Sequence, residues 1–169
     1  MAIINLHKNH PLDDGRQSER ALFVRRGVMR LLLSLGFAPL SELSLADGRR
    51  ADLLAVSSKG EIWIIEVKSS IADLKADNKW PDYRAFCDKL FFATHSDVPM
   101  DLFPEDCGFI LADSYGGHVL REAPEHKLNA ARRKAVIQRF GRASATRLAR
   151  AELDGLIIDQ KQLDCENTD

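Results

Sequence analysis

Asp52, Glu66 and Lys68 are the residues of this 169-residue chain whose types and spacing could do chemistry. Thirteen residues separate Asp52 from Glu66, and Lys68 follows two positions later. Two carboxylates in an apolar setting are costly unless they are paired or bound to a cation. A hard divalent ion such as Mg²⁺ takes one or two carboxylates together with carbonyls and waters. Asp52, Glu66 and the backbone carbonyl of Val67 would supply that set. Lys68 could then orient or deprotonate a water on the ion, or stabilise negative charge building at a phosphorus. The plainer reading is a salt bridge at a strand end, Glu66 or Asp52 with Lys68 or Arg50, because an isolated E-x-K tripeptide is common.

The elements around these residues make the combination more specific. Leu53 to Val56 and Ile62 to Val67 are apolar runs, and Ser57-Ser58-Lys59-Gly60 between them carries turn chemistry. The pattern predicts a β-hairpin whose second strand is buried on both faces. Side chains alternate along a strand, so Glu66 and Lys68 share a face with Ile62 and Ile64. Asp52 opens one strand and Glu66 closes its neighbour, so antiparallel pairing can bring the two carboxylates together.

Asp52, thirteen residues, then Glu66-Val67-Lys68 on a hairpin resembles the PD-(D/E)xK nuclease superfamily. The longer stretches RRADLLAV, EIWIIEVKSS and DNKWPDYRAFCDKLFFAT resemble the MmcB-type bacterial DNA-repair proteins, a predicted endonuclease branch of that superfamily. The resemblance covers Ser18 to Arg150. It implies an αβββαβ core, cleavage of DNA phosphodiesters with Mg²⁺ (or Mn²⁺), a role in repair, and Asp52, Glu66 and Lys68 as site residues. It also implies a helix-1 glutamate near the metal, which here would be Glu19. The other reading of Glu19 is a carboxylate favouring the positive helix end, worth ~0.3–1 kcal/mol. Ala51 stands where the superfamily places proline, a position that varies widely within it.

Composition sets the outer limits. The length fits one domain with a sizeable core, and 45% apolar with 29% charged residues is ordinary for a globular protein. A net charge of −1 means that any nucleic-acid binding must come from a local patch. Three cysteines (87, 107 and 165) without C-x-x-C spacing argue against a disulfide framework and a zinc site. The N-terminus lacks the apolar segment of a signal peptide, and no apolar stretch approaches the ~20 residues of a membrane span. The expected location is cytoplasmic, with no membrane partner.

In chain order, residues 1–13 read as a loose arm whose His7 and His10 are solvated rather than metal-binding. Asp14 with Gln17 fits a capping box for a helix that ends at Gly36, its apolar second half mostly buried. Phe37 to Leu45 reads as a strand, and Asp82 to Leu90 as a helix packed on the sheet, with Asp88 and Lys89 on its solvated side. Lys75 and Lys79 beside Trp80 could grip a nucleic-acid backbone, while Trp80 itself anchors the core. Phe91 to His95, Cys107 to Ala112 and His118 to Arg121 read as further strands. Residues 121–150 carry nine Lys/Arg against two acids, and a helix runs from near Glu125–Leu128 to about Arg150. Arg132, Arg139, Arg142 and Arg150 fall within one quadrant of it, and Val136, Ile137, Phe140 and Leu148 on another. An apolar side that docks and an arginine side for phosphates follow. The 151–169 tail reverses sign, with six acids against Lys161. The expectation is an α/β nuclease-like domain over 14–150. It would act on DNA as a metal-dependent endonuclease, with a non-catalytic nucleic-acid-binding module as the alternative. A homodimer and other repair proteins stay open as partners.

Overall fold

The computed structural model describes residues 18–155; the N-terminal arm with His7, His10 and Asp14, and the acidic tail beyond 155 with Cys165, lie outside the described residues. Helix α1 (Glu19–Ser34) starts at Ser18, whose Oγ accepts the Ala21 N–H at 3.2 Å, so the cap of this helix is Ser18. It ends where Gly36 takes φ +80, a conformation that costs glycine nothing. Val24, Val28 and Leu32 are buried at helical spacing, whereas Leu33 and Leu35 are exposed. The second half of α1 is therefore amphipathic rather than mostly buried.

Six strands form one sheet in the order of the chain: β1 (Phe37–Ser44), β2 (Arg50–Ser57), β3 (Ile62–Val67), β4 (Lys89–Thr94), β5 (Gly108–Ala112) and β6 (Gly117–Arg121). β1, β2 and β3 form an antiparallel meander, β3, β4 and β5 run parallel, and β6 returns antiparallel to β5. All six residues of β3 are buried, as expected of a central strand packed on both faces. On one face, α1 covers Leu53, Ala55, Ile65, Phe91 and Ile110. On the other, Leu54, Ile62, Ile64, Phe92 and Phe109 pack under short α2 (Ile71–Ala76), a 3₁₀ turn (Trp80–Ala85) and α3 (Ala130–Leu153). The result is an α/β fold with a mixed sheet flanked by helices.

The crossover from β3 to β4 departs from expectation. No helix spans Asp82 to Leu90; the chain makes the 3₁₀ turn, and β4 already begins at Lys89. Asp88 is not on a solvated side. It is 2% exposed, and its carboxylate accepts the N–H groups of Ile62 and Leu128 and both arms of Arg133. Trp80 does anchor the core, edge-on to Phe92. α3 starts at the Asn129 cap and runs to Leu153. Val136, Ile137 and Phe140 dock as expected, but Leu148 is 57% exposed. None of the described helices is long and apolar enough to cross a membrane.

Candidate active site

The β2–β3 ladder runs from Val56↔Ile62 to Leu53↔Ile65 and stops. One step further, the register sets Asp52 against Glu66. β2 stays with β1 through Ala51 and Arg50, while the end of β3 stays with β4 through Val67↔Ala93. The two strands part, and side chains take over the hydrogen bonds that the ladder gives up. Val67 N–H donates to Asp52 Oδ2 at 2.8 Å, and Asp52 N–H donates to Glu66 Oε1 at 3.2 Å. Lys68 N–H and the Lys68 carbonyl are held from the β4 side, by Ala93 O and Thr94 Oγ1. In a parallel ladder the intervening residue turns its own groups the other way. The Val67 carbonyl therefore faces the gap between β2 and β3, on the side of Asp52.

Lys68 is 6% exposed. Its Nζ lies 2.6 Å from Asp77 Oδ2 and 3.9 Å from Glu66 Oε2. Asp77 follows the last turn of α2, and nothing in the sequence pattern singled it out from the polar run around it. Asp73, one turn earlier, accepts the Ser69 N–H at 3.3 Å, so α2 is tied to the strand end at two points. His95 is structural here, its Nε2 3.0 Å from the Ser69 carbonyl.

Burial sets the electrostatics. It pushes the Asp52 carboxyl up to about 6, against the Val67 N–H and Lys68, with Glu42 and Asp73 adding to the rise. Burial and then the Asp52 charge push Glu66 well above the ordinary carboxylate range. Burial alone would lower Lys68, but the hydrogen bond to Asp77 and the charges of Glu66, Asp77 and Asp52 outweigh it, and the net shift is upward. The site thus holds a fixed cation beside two carboxylates that resist ionising together.

The cleft at this strand divergence encloses about 580 Å³. Arg49, Arg50, Lys68 and Lys79 line it against Asp52, Glu66, Asp73 and Asp77, four cations to four acids. Ser18 and Ala21 bring the start of α1 to its rim; Glu19 is exposed and does not line it. Lys75 is exposed on α2 and also lies outside the lining. Glu42, which the register sets opposite Asp52 on the β1 side, sits at φ 53. Its buried carboxylate meets Arg25 of α1 at 3.6 Å and Arg50 Nε at 2.5 Å. A glutamate in the left-handed region is a strained residue at a site's edge, and a single sequence carries no signal for it.

The arginines of α3 divide by role. Arg133 and Arg147 serve the fold, Arg133 on Asp88 and the Gly60 carbonyl, Arg147 on the carbonyls of Ser41 and Glu42. Arg132, Arg139, Arg142 and Arg150 are exposed. Arg132 lies over the Phe86 ring, and Arg139 reaches the Ser44 carbonyl at 3.3 Å. Ser44 pairs with Arg50, a cleft residue, so the exposed arginine side adjoins the cleft through the β1–β2 turn.

A family model described as DNA repair protein MmcB-like matches residues 8–155. No curated protein matches the chain. Among solved structures, the SPO1766 protein of unknown function from Silicibacter pomeroyi is similar, with 40% identity and a TM-score of 0.78 over 85% of this chain and 97% of that one.

Proposed function

The chain belongs to the MmcB-like family of DNA-repair proteins, and from that premise we propose that it is a metal-dependent DNA endonuclease of PD-(D/E)xK type. The observation that carries this reading is the Asp52–Glu66 pair: a half-buried and a buried carboxylate face each other where β2 and β3 part, with Lys68 beside them. Each gives one oxygen to a backbone N–H, which fixes its direction. The donor set of two carboxylates and the Val67 carbonyl suits Mg²⁺ or Mn²⁺, which prefer oxygen and keep several waters. When bound, such an ion supplies an activated water and neutralises charge on the phosphate.

The chain's own residues do the rest. The Lys68 ammonium, held beside the pair by Asp77, can stabilise negative charge on the phosphoryl oxygens. Arg49, Arg50 and Lys79 offer positive charge along the cleft, and the exposed arginines of α3 extend it along the DNA backbone.

The second reading is a non-catalytic DNA-binding module. It draws on one observation: among the described residues, no three His, Cys, Asp or Glu side chains converge on a metal position. Labelled single-stranded, duplex and branched DNA incubated with Mn²⁺ or Mg²⁺ separates the two. Metal-dependent products that vanish in Lys68→Ala are expected of the nuclease. Salt-sensitive binding by both proteins without cleavage would replace it by the binding module.

A further inference from the structure

We propose that Asp77 is a positioning residue that holds the Lys68 ammonium off Glu66 and so keeps the Asp52–Glu66 pair open to a divalent cation. This rests on the metal-binding reading above. A largely buried ammonium is costly without a counter-charge, so it rests on a carboxylate within reach. Two are within reach of Lys68 Nζ, Asp77 at 2.6 Å and Glu66 at 3.9 Å. The lysine stem is flexible enough to cover the difference. Which carboxylate holds the ammonium therefore decides whether Glu66 Oε2 is available to another cation.

Asp77 is built to win that contest. Its Oδ1 accepts the Lys79 N–H at 2.9 Å, and its own N–H closes the last turn of α2 on the Leu74 carbonyl. α2 in turn is capped by Ser70 and tied to the strand end through Asp73 and Ser69. The Asp77 carboxylate is thus oriented by hydrogen bonds on both sides of it. Glu66 already spends Oε1 on Asp52 N–H, which leaves Oε2 as the oxygen at stake.

A plain charge effect would look similar in a single variant, since any acid near the site attracts a cation. The double-variant cycle separates them. Mn²⁺ is titrated by calorimetry, without DNA, into wild type, Asp77→Asn, Lys68→Met and the double variant. Asp77→Asn is expected to weaken Mn²⁺ binding about tenfold, the effect of losing one charged hydrogen bond. In the Lys68→Met background the same substitution should change it by less than about threefold, because no ammonium remains to collapse onto Glu66. Equal losses in both backgrounds would show that Asp77 acts through its own charge and overturn the proposal, as would no loss in either.

Absence of Mn²⁺ uptake by wild type would sink the metal-binding reading, and a second cycle then decides the placement of Lys68. Thermal melts of Lys68→Met, Glu66→Gln and their combination give the Lys68–Glu66 coupling. That coupling should be larger in an Asp77→Asn background, where Lys68 rests on Glu66. An unchanged coupling overturns the proposal whether or not a metal binds.

Discussion

Arg133 grips Asp88 with both arms of its guanidinium, Nη1 on Oδ2 and Nη2 on Oδ1, each at 2.6 Å. The same carboxylate accepts backbone N–H groups from Ile62 and Leu128. One buried side chain thus pins α3, the start of β3 and the segment entering α3. Burial alone would raise the Asp88 carboxyl, but Arg133 and these N–H groups hold it below its ordinary value. Asp88→Ala leaves an arginine and two backbone donors without their acceptor, and should cost about 3–5 kcal/mol in urea unfolding. Asp88→Asn, which keeps one acceptor, should cost less. A loss under about 1 kcal/mol for the alanine variant would mean that α3 docks by its apolar face alone.

The Asp52–Glu66 pair opposes folding as pH rises. Burial raises both carboxyls, Asp52 from 3.8 to about 6. The folded state therefore keeps protons that the unfolded chain has released, and stability falls as pH climbs from about 4 through 6 and beyond. Asp52→Asn and Glu66→Gln remove that fall. At pH 7.5 in chelator both should melt above wild type, Asp52→Asn by roughly 4–8 °C for a gain of about 2–3 kcal/mol, and at pH 4 the difference should close. Variants that melt below wild type at pH 7.5 would show that both carboxylates are stabilising in the metal-free protein.

The parts of this molecule that sequence patterning reaches are those governed by local periodicity. The apolar runs at Leu53–Val56 and Ile62–Val67 with their turn define the central hairpin, and its register brings Asp52 to Glu66. Asp77, Glu42 and Arg25 were not legible, because their roles come from long-range encounters with Lys68, Arg50 and one another. Asp88 misled for a related reason. Tyr83, Phe86, Cys87 and Leu90 follow helical spacing, yet that spacing also fits a 3₁₀ turn running into a strand, which turns Asp88 inward. In α3 helical spacing grouped the exposed Arg132, Arg139, Arg142 and Arg150 and left Arg133 and Arg147 off that side, but the acceptors of those two, Asp88 and the Ser41 and Glu42 carbonyls, were not legible.

Gly27 lies where α1 crosses the β5–β6 hairpin. A Cβ there would sit 2.0 Å from the Asp113 carbonyl oxygen and 2.4 Å from that of Gly116. Alanine favours a helix over glycine by ~1 kcal/mol, but both obstacles are backbone and cannot turn aside. The clash wins, so Gly27→Ala should destabilise by about 1–3 kcal/mol, measured by chemical unfolding. A stabilised variant would mean that α1 lies looser on the hairpin than the structure has it.

Binding and chemistry should separate between α3 and the cleft. Arg139 and Arg142 are exposed on the side of α3 that adjoins the cleft, and neither touches the Asp52–Glu66 pair. Each phosphate they neutralise releases counterions, so duplex affinity should fall with log salt by a slope of about 0.9 per contact. The Arg139→Ala/Arg142→Ala variant should bind duplex DNA more weakly and lower that slope by roughly 1–2, read by fluorescence anisotropy between 50 and 200 mM salt. Saturating DNA should restore its cleavage, because the site itself is untouched. Lys68→Ala should do the reverse, keeping the salt slope within about one contact and losing the chemical step. An unchanged slope in the arginine variant would remove α3 from the DNA interface and turn attention to the cleft, which Arg49, Arg50 and Lys79 line.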